Sequence, residues 1–172
     1  RVLNLFAYTG GATLAAAAAG AAVTHVDASK GMVNWAKENA ESSGLADRPV
    51  RWLVDDCIKF VERELRRGSR YEAIIMDPPS YGRGPKGEIW KIEDSVYDLV
   101  RLCAGLLSED ALFFLINSYT TGLQPGVLAY MLNVIIKPEF GGKVYADEVG
   151  IPLEKGGLVL PCGAAGRWYS ER

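Results

Sequence analysis

The sequence has few of the residues on which several classes of site depend. Its 172 residues include one histidine, His25, and three cysteines that show no CxxC spacing. Mechanisms that need paired histidines are therefore excluded, and a zinc site or a disulfide framework is disfavoured. The widely separated thiols of Cys57, Cys103 and Cys162 indicate a reducing compartment, and we expect the protein to be cytoplasmic.

Long apolar runs and a large net charge are also missing. No apolar run reaches the ~18–20 residues that a membrane-spanning helix needs, and no segment resembles a signal peptide, so we expect no membrane partner. The 19 basic and 21 acidic side chains leave a net charge of −2. Binding to nucleic acid through bulk positive charge is disfavoured, whereas a local basic patch is compatible with this balance.

The composition that remains is that of a folded domain, with 49% apolar and 23% charged residues. The length is typical of one domain with a sizeable core, so we expect a single domain over residues 1–172. The chain begins directly on an apolar segment, without an initiator methionine. We therefore expect an N-terminal portion of the full protein to be missing from it. The sequence does not predict an oligomeric state.

Strand-like and helix-like segments alternate along the chain. Apolar runs predict strands over residues 2–6, 22–26, 50–54, 71–76 and 111–116. Helical spacing or composition predicts helices between them and a further helix over residues 127–136. Since parallel neighbours need a crossover, this order predicts an α/β fold, a doubly wound parallel sheet covered by helices on both faces. Residues 143–151 and 157–162 have no helix between them and predict an antiparallel hairpin at one edge.

The first predicted strand leads into a glycine turn, Thr9-Gly10-Gly11, followed by a helix. In such sheets ligands bind beyond the carboxyl ends of the strands. Glycine lets the backbone approach a ligand, and the first N–H groups of the helix favour an anion such as a carboxylate. Ala7 and Thr9 stand where a dinucleotide fingerprint places glycines, so the turn suits a small carboxylate better than a pyrophosphate. A turn without any ligand is an equal alternative.

Acidic residues follow the next two predicted strands. Asp27 ends the second strand, where a carboxylate can accept hydrogen bonds from both hydroxyls of a ribose. Asp55 and Asp56 follow the third strand, where a carboxylate can accept from an adenine amino group while the next backbone N–H donates to the ring. Helix capping by these aspartates is the alternative. After Asp27, however, Ser29 is available as the cap, and we also take Ser29 as a candidate binding residue.

The fourth predicted strand ends in Asp77-Pro78-Pro79-Ser80-Tyr81, the most specific motif of the chain. The prolines fix φ and lack N–H donors, so we expect their carbonyls to face outward as rigid acceptors beside Asp77. This arrangement suits an exocyclic amino group of a base, on which Tyr81 would stack. We take Asp77, Pro78, Pro79 and Tyr81 as candidate catalytic residues. A proline-rich turn without a function is the alternative.

Together these motifs resemble class I S-adenosylmethionine-dependent methyltransferases, in particular the branch of large-subunit ribosomal RNA methyltransferases. Four stretches, which span most of residues 1–123, carry the resemblance: NLFAYTGGATLAAAAAGA, HVDASKGMVNWAKENAESSGL, DDCIKFVERELRRGSRYEAIIMDPPSY and LFFLINSYTTGL. The resemblance implies a Rossmann-like, seven-stranded sheet and methyl transfer from S-adenosylmethionine to a base of RNA.

The resemblance also implies positions around the cofactor. It places four residues at the methionine side: Phe6, Tyr8, Thr9 and Gly10. It places Asp27 at the ribose, and Asp56 with Cys57 at the adenine. Asp77 and Pro78 are placed beside the sulfonium.

The resemblance bears on the acceptor atom as well. Members of this branch that methylate carbon 5 of cytosine resemble one another in having a cysteine just after the fifth strand. The corresponding residues of this chain, 116–119, are INSY and include no cysteine. Carbon-5 methylation needs a strong thiolate nucleophile. We expect Cys162 to be a buried structural cysteine rather than a substitute. The sequence therefore favours transfer to a nitrogen of a base, which mainly requires positioning, or to an acceptor that it does not identify.

Residues 82–90 are rich in glycine and predict a mobile loop that acts as a lid over the site. Arg83, Lys86 and Lys91 in this region are candidate RNA contacts because they adjoin the strand that carries Asp77. His25 is expected to be a strand residue rather than a catalyst. Two other functions stay open: a nicotinamide-dependent oxidoreductase on the same fold, and a domain that binds RNA or a protein without catalysis.

Overall fold

The computed structural model describes residues 1–84 and 86–171. Its helices are α1 (Gly11–Ala18), α2 (Lys30–Ser42), α3 (Cys57–Arg66), α4 (Ile92–Ala104), α5 (Pro125–Ile135) and α6 (Lys137–Phe140). Its strands are β1 (Val2–Leu5), β2 (Val23–Asp27), β3 (Val50–Val54), β4 (Ala73–Met76), β5 (Tyr81–Arg83), β6 (Ile89–Lys91), β7 (Phe113–Ser118), β8 (Lys143–Pro152) and β9 (Val159–Tyr169). No helix within these residues is both long enough and apolar enough to cross a lipid bilayer.

Seven strands form one sheet in the order β3-β2-β1-β4-β7-β9-β8. The first five of these strands are parallel, whereas β9 runs antiparallel to both β7 and β8. This arrangement confirms the predicted doubly wound sheet with an antiparallel hairpin at one edge. The chain proceeds from β1 to β2 and β3 on one side and continues with β4 on the other, so the switch point lies between β1 and β4.

Alternate residues of the central strands supply two hydrophobic clusters, one on each face of the sheet. Leu3 and Leu5 belong to the larger cluster, whereas Val2 and Ile75 belong to the smaller one together with Ala17 of α1. Because helices cover both faces, β1 and β4 are buried at every position. Ala17 is fully buried, since a small side chain lets α1 pack close to the sheet.

Polar side chains define the starts of two helices beside the carboxyl edge of the sheet. The Asp56 carboxylate accepts a hydrogen bond from the Lys59 N–H (2.9 Å) and caps α3. The Ser29 hydroxyl accepts one from the Met32 N–H (3.4 Å) and caps α2. Each cap satisfies an N–H group that has no partner within its helix. Either Asp55 or Asp56 was predicted to cap α3, and the structure shows that the cap is Asp56.

Residues 82–90, predicted as a mobile loop, are not a loop throughout, because parts of two short strands lie within them. β5 and β6 pair antiparallel, Tyr81 with Lys91 and Arg83 with Ile89, and form a separate two-stranded sheet. Pro85, which belonged to the predicted loop, lies outside the described residues. Each strand has three residues, too few for an alternation of apolar and polar side chains to show in the sequence.

β9 extends further than predicted, to Tyr169 rather than to residue 162. It pairs with β7 on one side and with β8 on the other, which supports a strand of 11 residues. Trp168, which the sequence left without a role, is fully buried, and its indole N–H donates a hydrogen bond to the Gly141 carbonyl (2.7 Å). The second half of β9 therefore contributes Ala164 and Trp168 to the core, whereas its first four residues are exposed.

Candidate active site

A cavity of about 500 Å³ lies at the carboxyl ends of the parallel strands. Its volume falls in the range of small-molecule sites, roughly 300–1,000 Å³. Most of the predicted site residues line it: Phe6, Tyr8, Asp27, Ser29, Asp56, Cys57, Asp77 and Pro79. Four further lining residues come from the segment predicted as a lid: Gly82, Arg83, Gly84 and Trp90. Ala28 and Tyr119, which were not predicted at the site, also line the cavity. Four of the predicted site residues do not line the cavity: Thr9, Gly10, Pro78 and Tyr81.

The loop after β1 has an unusual backbone. Phe6 and Tyr8 have φ angles of 53° and 49°, a left-handed conformation that costs roughly 1–3 kcal/mol for each non-glycine residue. Hydrogen bonds hold the loop: the Tyr8 N–H donates to Asp27 Oδ2 (2.9 Å), and the Phe6 N–H donates to the Cys57 Sγ (3.4 Å). The loop is thus tied to the end of β2 and to the start of α3, and strain of this kind clusters at ligand sites.

Thr9 and Gly10 position this loop from behind the cavity. The Thr9 carbonyl accepts a hydrogen bond from the Asn39 side-chain amide of α2 (2.9 Å). Gly10 has a φ of +88°, and a Cβ added there would lie 3.0 Å from the Cβ of Ala36. Only glycine fits both the backbone conformation and the close approach of α2.

Asp27 joins two elements of the site. Its Oδ2 accepts from the Tyr8 N–H (2.9 Å), and its Oδ1 accepts from the Ser29 N–H (2.8 Å). The alternative that Asp27 caps a helix is wrong, because the cap of α2 is Ser29. An ionised carboxylate offers about four acceptor positions, so two remain on Asp27 for a ligand.

The two aspartates after β3 have different environments. The Asp55 carboxylate forms an ion pair with Arg63 and accepts a hydrogen bond from the Asp56 N–H (2.9 Å). Its contacts are therefore within the protein. Asp56 lines the cavity with one oxygen engaged as the cap of α3. The adjacent Cys57 is buried, and burial raises the pKa of its thiol well above the usual value. A thiol of this kind is a poor nucleophile.

Asp77 and Tyr119 lie together at the neighbouring ends of β4 and β7. Asp77 is exposed in the open cavity, yet the surrounding protein displaces part of its hydration and raises the pKa of its carboxyl. The pKa of Tyr119 is also raised, by burial and by the charge of Asp77. Tyr119 was not among the residues predicted for the site. The order of the strands could have indicated Tyr119, because a residue that directly follows the strand paired with β4 lies beside Asp77.

The two prolines after Asp77 do not have equivalent roles. Pro78 is buried, and the Pro79 carbonyl accepts a hydrogen bond from the indole N–H of Trp90 (2.6 Å). The expectation that both carbonyls face outward as free acceptors therefore needs correction for Pro79. Trp90 is itself buried, with its ring centroid 5.0 Å from that of Phe6, so the carbonyl holds the β5–β6 hairpin against the cavity.

A buried polar network supports the sheet beneath the glycine turn. The Asn4 amide donates to the Thr13 hydroxyl (2.9 Å), which lies 2.9 Å from the Nδ1 of His25. The His25 ring packs at a tilt of 55° against Trp52, with ring centroids 4.8 Å apart. Burial lowers the pKa of the His25 imidazole to about 4. His25 is therefore a neutral strand residue, as expected, and does not line the cavity.

Cys162 corrects one expectation. Its side chain is exposed rather than buried, and its thiol donates to the Leu160 carbonyl (3.4 Å). The last pair of β9 with β7 joins Ala164 to Ser118, so the residues before Ala164 extend past the end of β7. Among the described residues, β7 has no pairing partner for Cys162 beyond that point.

Comparisons with known proteins agree on one family. A sequence model of the family described as S-adenosylmethionine-dependent methyltransferase matches residues 1–129. The chain is 35% identical over 111 residues to ribosomal RNA large subunit methyltransferase K/L of Shewanella frigidimarina (strain NCIMB 400), a match of 63% of this chain and 15% of that protein. It is 33% identical over 120 residues to ribosomal RNA large subunit methyltransferase K of Neisseria meningitidis serogroup B, a match of 69% of this chain and 34% of that protein.

A solved structure extends the likeness to nearly the whole chain. The crystal structure of the SAM-dependent methyltransferase from Agrobacterium tumefaciens is 41% identical, with a TM-score of 0.94 over 99% of this chain and 56% of that one. The match therefore spans little more than half of that protein, and only 15% and 34% of the two curated relatives.

Proposed function

Because the chain belongs to the S-adenosylmethionine-dependent methyltransferase family, we propose that its cavity binds S-adenosylmethionine and that residues 1–172 form one domain that methylates a base of RNA. Ribosomal RNA is the proposed target, since two relatives are named as large-subunit ribosomal RNA methyltransferases. A cytoplasmic location belongs to the same proposal. Membership of this family argues against a nicotinamide-dependent oxidoreductase.

The observation that carries the proposal is the position of Asp27. Its carboxylate ties the strained loop at Tyr8 to the start of α2 at Ser29, and it still has acceptor capacity for the two hydroxyls of a ribose. Asp56 keeps one oxygen beyond the bond that caps α3, which suits an adenine amino group. The first N–H groups of α3 and α1 have no partners within their helices and suit a ring nitrogen and a carboxylate. These donors and acceptors fit the cofactor.

The residues around Asp77 would hold the acceptor. When bound, S-adenosylmethionine supplies a methyl group on a positively charged sulfur. Asp77 would accept a hydrogen bond from an exocyclic N–H of the base and so orient the nitrogen lone pair, while Tyr119 covers the same side of the cavity. Partial loss of hydration raises the pKa of Asp77, which makes this carboxylate a better proton acceptor than an ordinary one.

A nitrogen acceptor is the finer part of this proposal. Carbon-5 methylation of cytosine needs a thiolate, and the thiol that lines the cavity, Cys57, is buried with a raised pKa and accepts a hydrogen bond from the Phe6 N–H. Cys162 is exposed on β9 and is outside the lining residues. The arrangement therefore favours positioning of a nitrogen nucleophile over covalent activation of a ring.

Methyl transfer to RNA tests the proposal directly. The chain is incubated with methyl-labelled S-adenosylmethionine and an unmodified transcript of large-subunit ribosomal RNA, and the nucleosides are mapped by mass spectrometry. We expect label on one exocyclic nitrogen. Asp77→Asn is expected to reduce transfer by about 10²–10⁴-fold. Asp47→Asn, at an exposed aspartate between α2 and β3, serves as the matched control and should keep the wild-type rate.

Cofactor binding is measured separately by thermal unfolding. S-adenosylhomocysteine at a hundredfold excess over its Kd is expected to stabilise the chain by about 2.7 kcal/mol and to raise Tm by about 5–11 °C, whereas NAD should have no effect. Stabilisation without any methyl transfer would instead support a domain that binds RNA or a protein without catalysis. Wild-type transfer by Asp77→Asn would contradict the role given to Asp77.

A further inference from the structure

The β5–β6 hairpin at the rim of the cavity has two different faces. Its inner face carries Trp90, which is buried against Phe6. In an antiparallel pair, directly opposed residues project from the same side of the ribbon. The outer face therefore carries the exposed side chains of two cross-strand pairs, Tyr81 with Lys91 and Arg83 with Ile89. We call these four side chains the outer ribbon face.

Contacts at its base and near its tip fix this hairpin in place. At the base, the Trp90 indole donates to the Pro79 carbonyl (2.6 Å), and the Ile92 N–H donates to the Ser80 carbonyl (3.1 Å). Near the tip, Glu88 forms an ion pair with Lys59 of α3. The outer ribbon face is thereby held at the rim of the cavity. Arg83 belongs to both surfaces, because it is exposed on the outer ribbon face and also lines the cavity together with Gly82 and Gly84.

The outer ribbon face is locally basic. Within residues 1–84 and 86–171, no carboxylate lies within ion-pair distance of the Arg83 guanidinium or the Lys91 ammonium. The acid on the hairpin itself, Glu88, is already neutralised by Lys59. Glu93 and Asp94 follow in the first turn of α4, where the positive end of the helix dipole stabilises them. Although the net charge of the chain is −2, the cations of Arg83 and Lys91 and the ring of Tyr81 therefore lie together beside the cavity.

We propose that the outer ribbon face binds single-stranded RNA next to the nucleotide that enters the cavity. Sites for single strands combine cations that contact phosphates with aromatic rings on which bases stack, and the ribbon presents both on one fixed surface. Arg83 and Lys91 contact phosphates, and Tyr81, which is half exposed and outside the cavity lining, stacks on a flanking base. This inference rests on the proposed function, because it names where the RNA substrate of that site docks.

Fluorescence anisotropy with a labelled single-stranded oligouridine tests the surface over a range of salt concentrations. Each phosphate contact to a single strand contributes about 0.7 to the slope of log affinity against log salt. Lys91→Gln and Arg83→Gln are each expected to reduce the slope by about 0.7, and the double variant by about 1.4. Arg66→Gln, at an exposed arginine at the end of α3, is the matched control and should leave the slope unchanged.

Aromatic stacking is tested on the same oligouridine. Tyr81→Ala is expected to weaken binding by about tenfold, whereas Tyr81→Phe, which keeps the ring, should bind like wild type. Tyr130→Ala, at an exposed tyrosine of α5, is the control. Titration calorimetry of Lys91→Gln with S-adenosylhomocysteine should give the wild-type affinity, because Lys91 does not line the cavity.

The outcomes separate this inference from the proposed function. If the wild type does not bind oligouridine, if duplex RNA competes equally well, or if the charge and ring variants bind like wild type, the outer ribbon face is not the docking surface, whatever the methylation assay shows. If the variants lose oligouridine binding as expected while the wild type methylates no RNA, the surface stands and the proposed function fails.

Discussion

Replacement of Asp27 by asparagine tests the central contact of the site. The Asp27 oxygens accept backbone N–H bonds of 2.9 and 2.8 Å from Tyr8 and Ser29. Asparagine keeps one acceptor oxygen but presents an NH₂ group to the second N–H, so one charge-assisted bond is lost. Such bonds contribute about 1.5–3 kcal/mol, and because Asp27 is only half-buried we expect a loss of about 1–2 kcal/mol in the free energy of unfolding.

Two assays separate the structural and ligand-binding effects of Asp27→Asn. In a domain of this size about 1 kcal/mol corresponds to about 2–4 °C, so Tm should fall by about 2–8 °C in a thermal melt followed by circular dichroism. Calorimetric titration with S-adenosylhomocysteine should show affinity lower by about 10–100-fold, because hydrogen bonds to the ribose hydroxyls weaken as well. Asp47→Asn is the control for both assays and should match the wild type.

The ligand titration decides the interpretation of Asp27. If Asp27→Asn loses stability but binds S-adenosylhomocysteine as tightly as the wild type, Asp27 only links β2 to the loop after β1. The observation on which the proposed function depends would then be refuted. Unchanged stability would show that the two N–H bonds do not hold the strained backbone of that loop.

Three further predictions concern the packing around the site. Gly10→Ala should lower the free energy of unfolding in urea by about 1–3 kcal/mol, because φ is +88° and the new Cβ would lie 3.0 Å from that of Ala36. Trp90→Phe keeps a ring but removes the indole N–H that binds the Pro79 carbonyl, so urea unfolding should show a loss of about 1 kcal/mol. Burial lowers the pKa of His25 from an ordinary value near 6.5 to about 4. As the pH falls, His25 is therefore protonated in the unfolded chain before it is protonated in the folded chain. Stability should therefore fall by about 3 kcal/mol between about pH 7 and pH 4 through this group, and His25→Gln should flatten the profile.

Contrary results are easy to recognise for these variants. Wild-type unfolding of Gly10→Ala would mean that α2 can move away from the glycine turn. Wild-type stability of Trp90→Phe would mean that ring packing alone holds the hairpin. An acid profile unchanged by His25→Gln would assign the loss of stability at low pH to carboxylates instead.

Several parts of the site follow from local sequence patterns. Asp27 and Asp77 stand directly after apolar runs, and in a parallel sheet such residues meet at the same edge. Gly10 follows the first strand in a turn that needs a left-handed backbone, which glycine adopts without strain. The roles given to these residues at the cofactor remain predictions, whereas the family and the fold are established.

Other parts depended on contacts between distant segments. Tyr119 reaches the cavity because β7 is the neighbour of β4, and no pattern around residue 119 records that pairing. The Pro79 carbonyl is engaged because Trp90, eleven residues later, folds back on it. Cys162 was expected to be buried, but it is exposed because β9 extends past the end of β7.

The sequence by itself determined the alternation of strands and helices, the doubly wound sheet and the acidic residues at the strand ends. These features arise from periodicity, capping and turn chemistry, which act within a few residues of the chain. Only the tertiary structure decided which side chains share the cavity, which carbonyl holds the hairpin and which face of that hairpin meets solvent. Those outcomes depend on strand order and on packing between segments far apart in sequence, which local preferences do not encode.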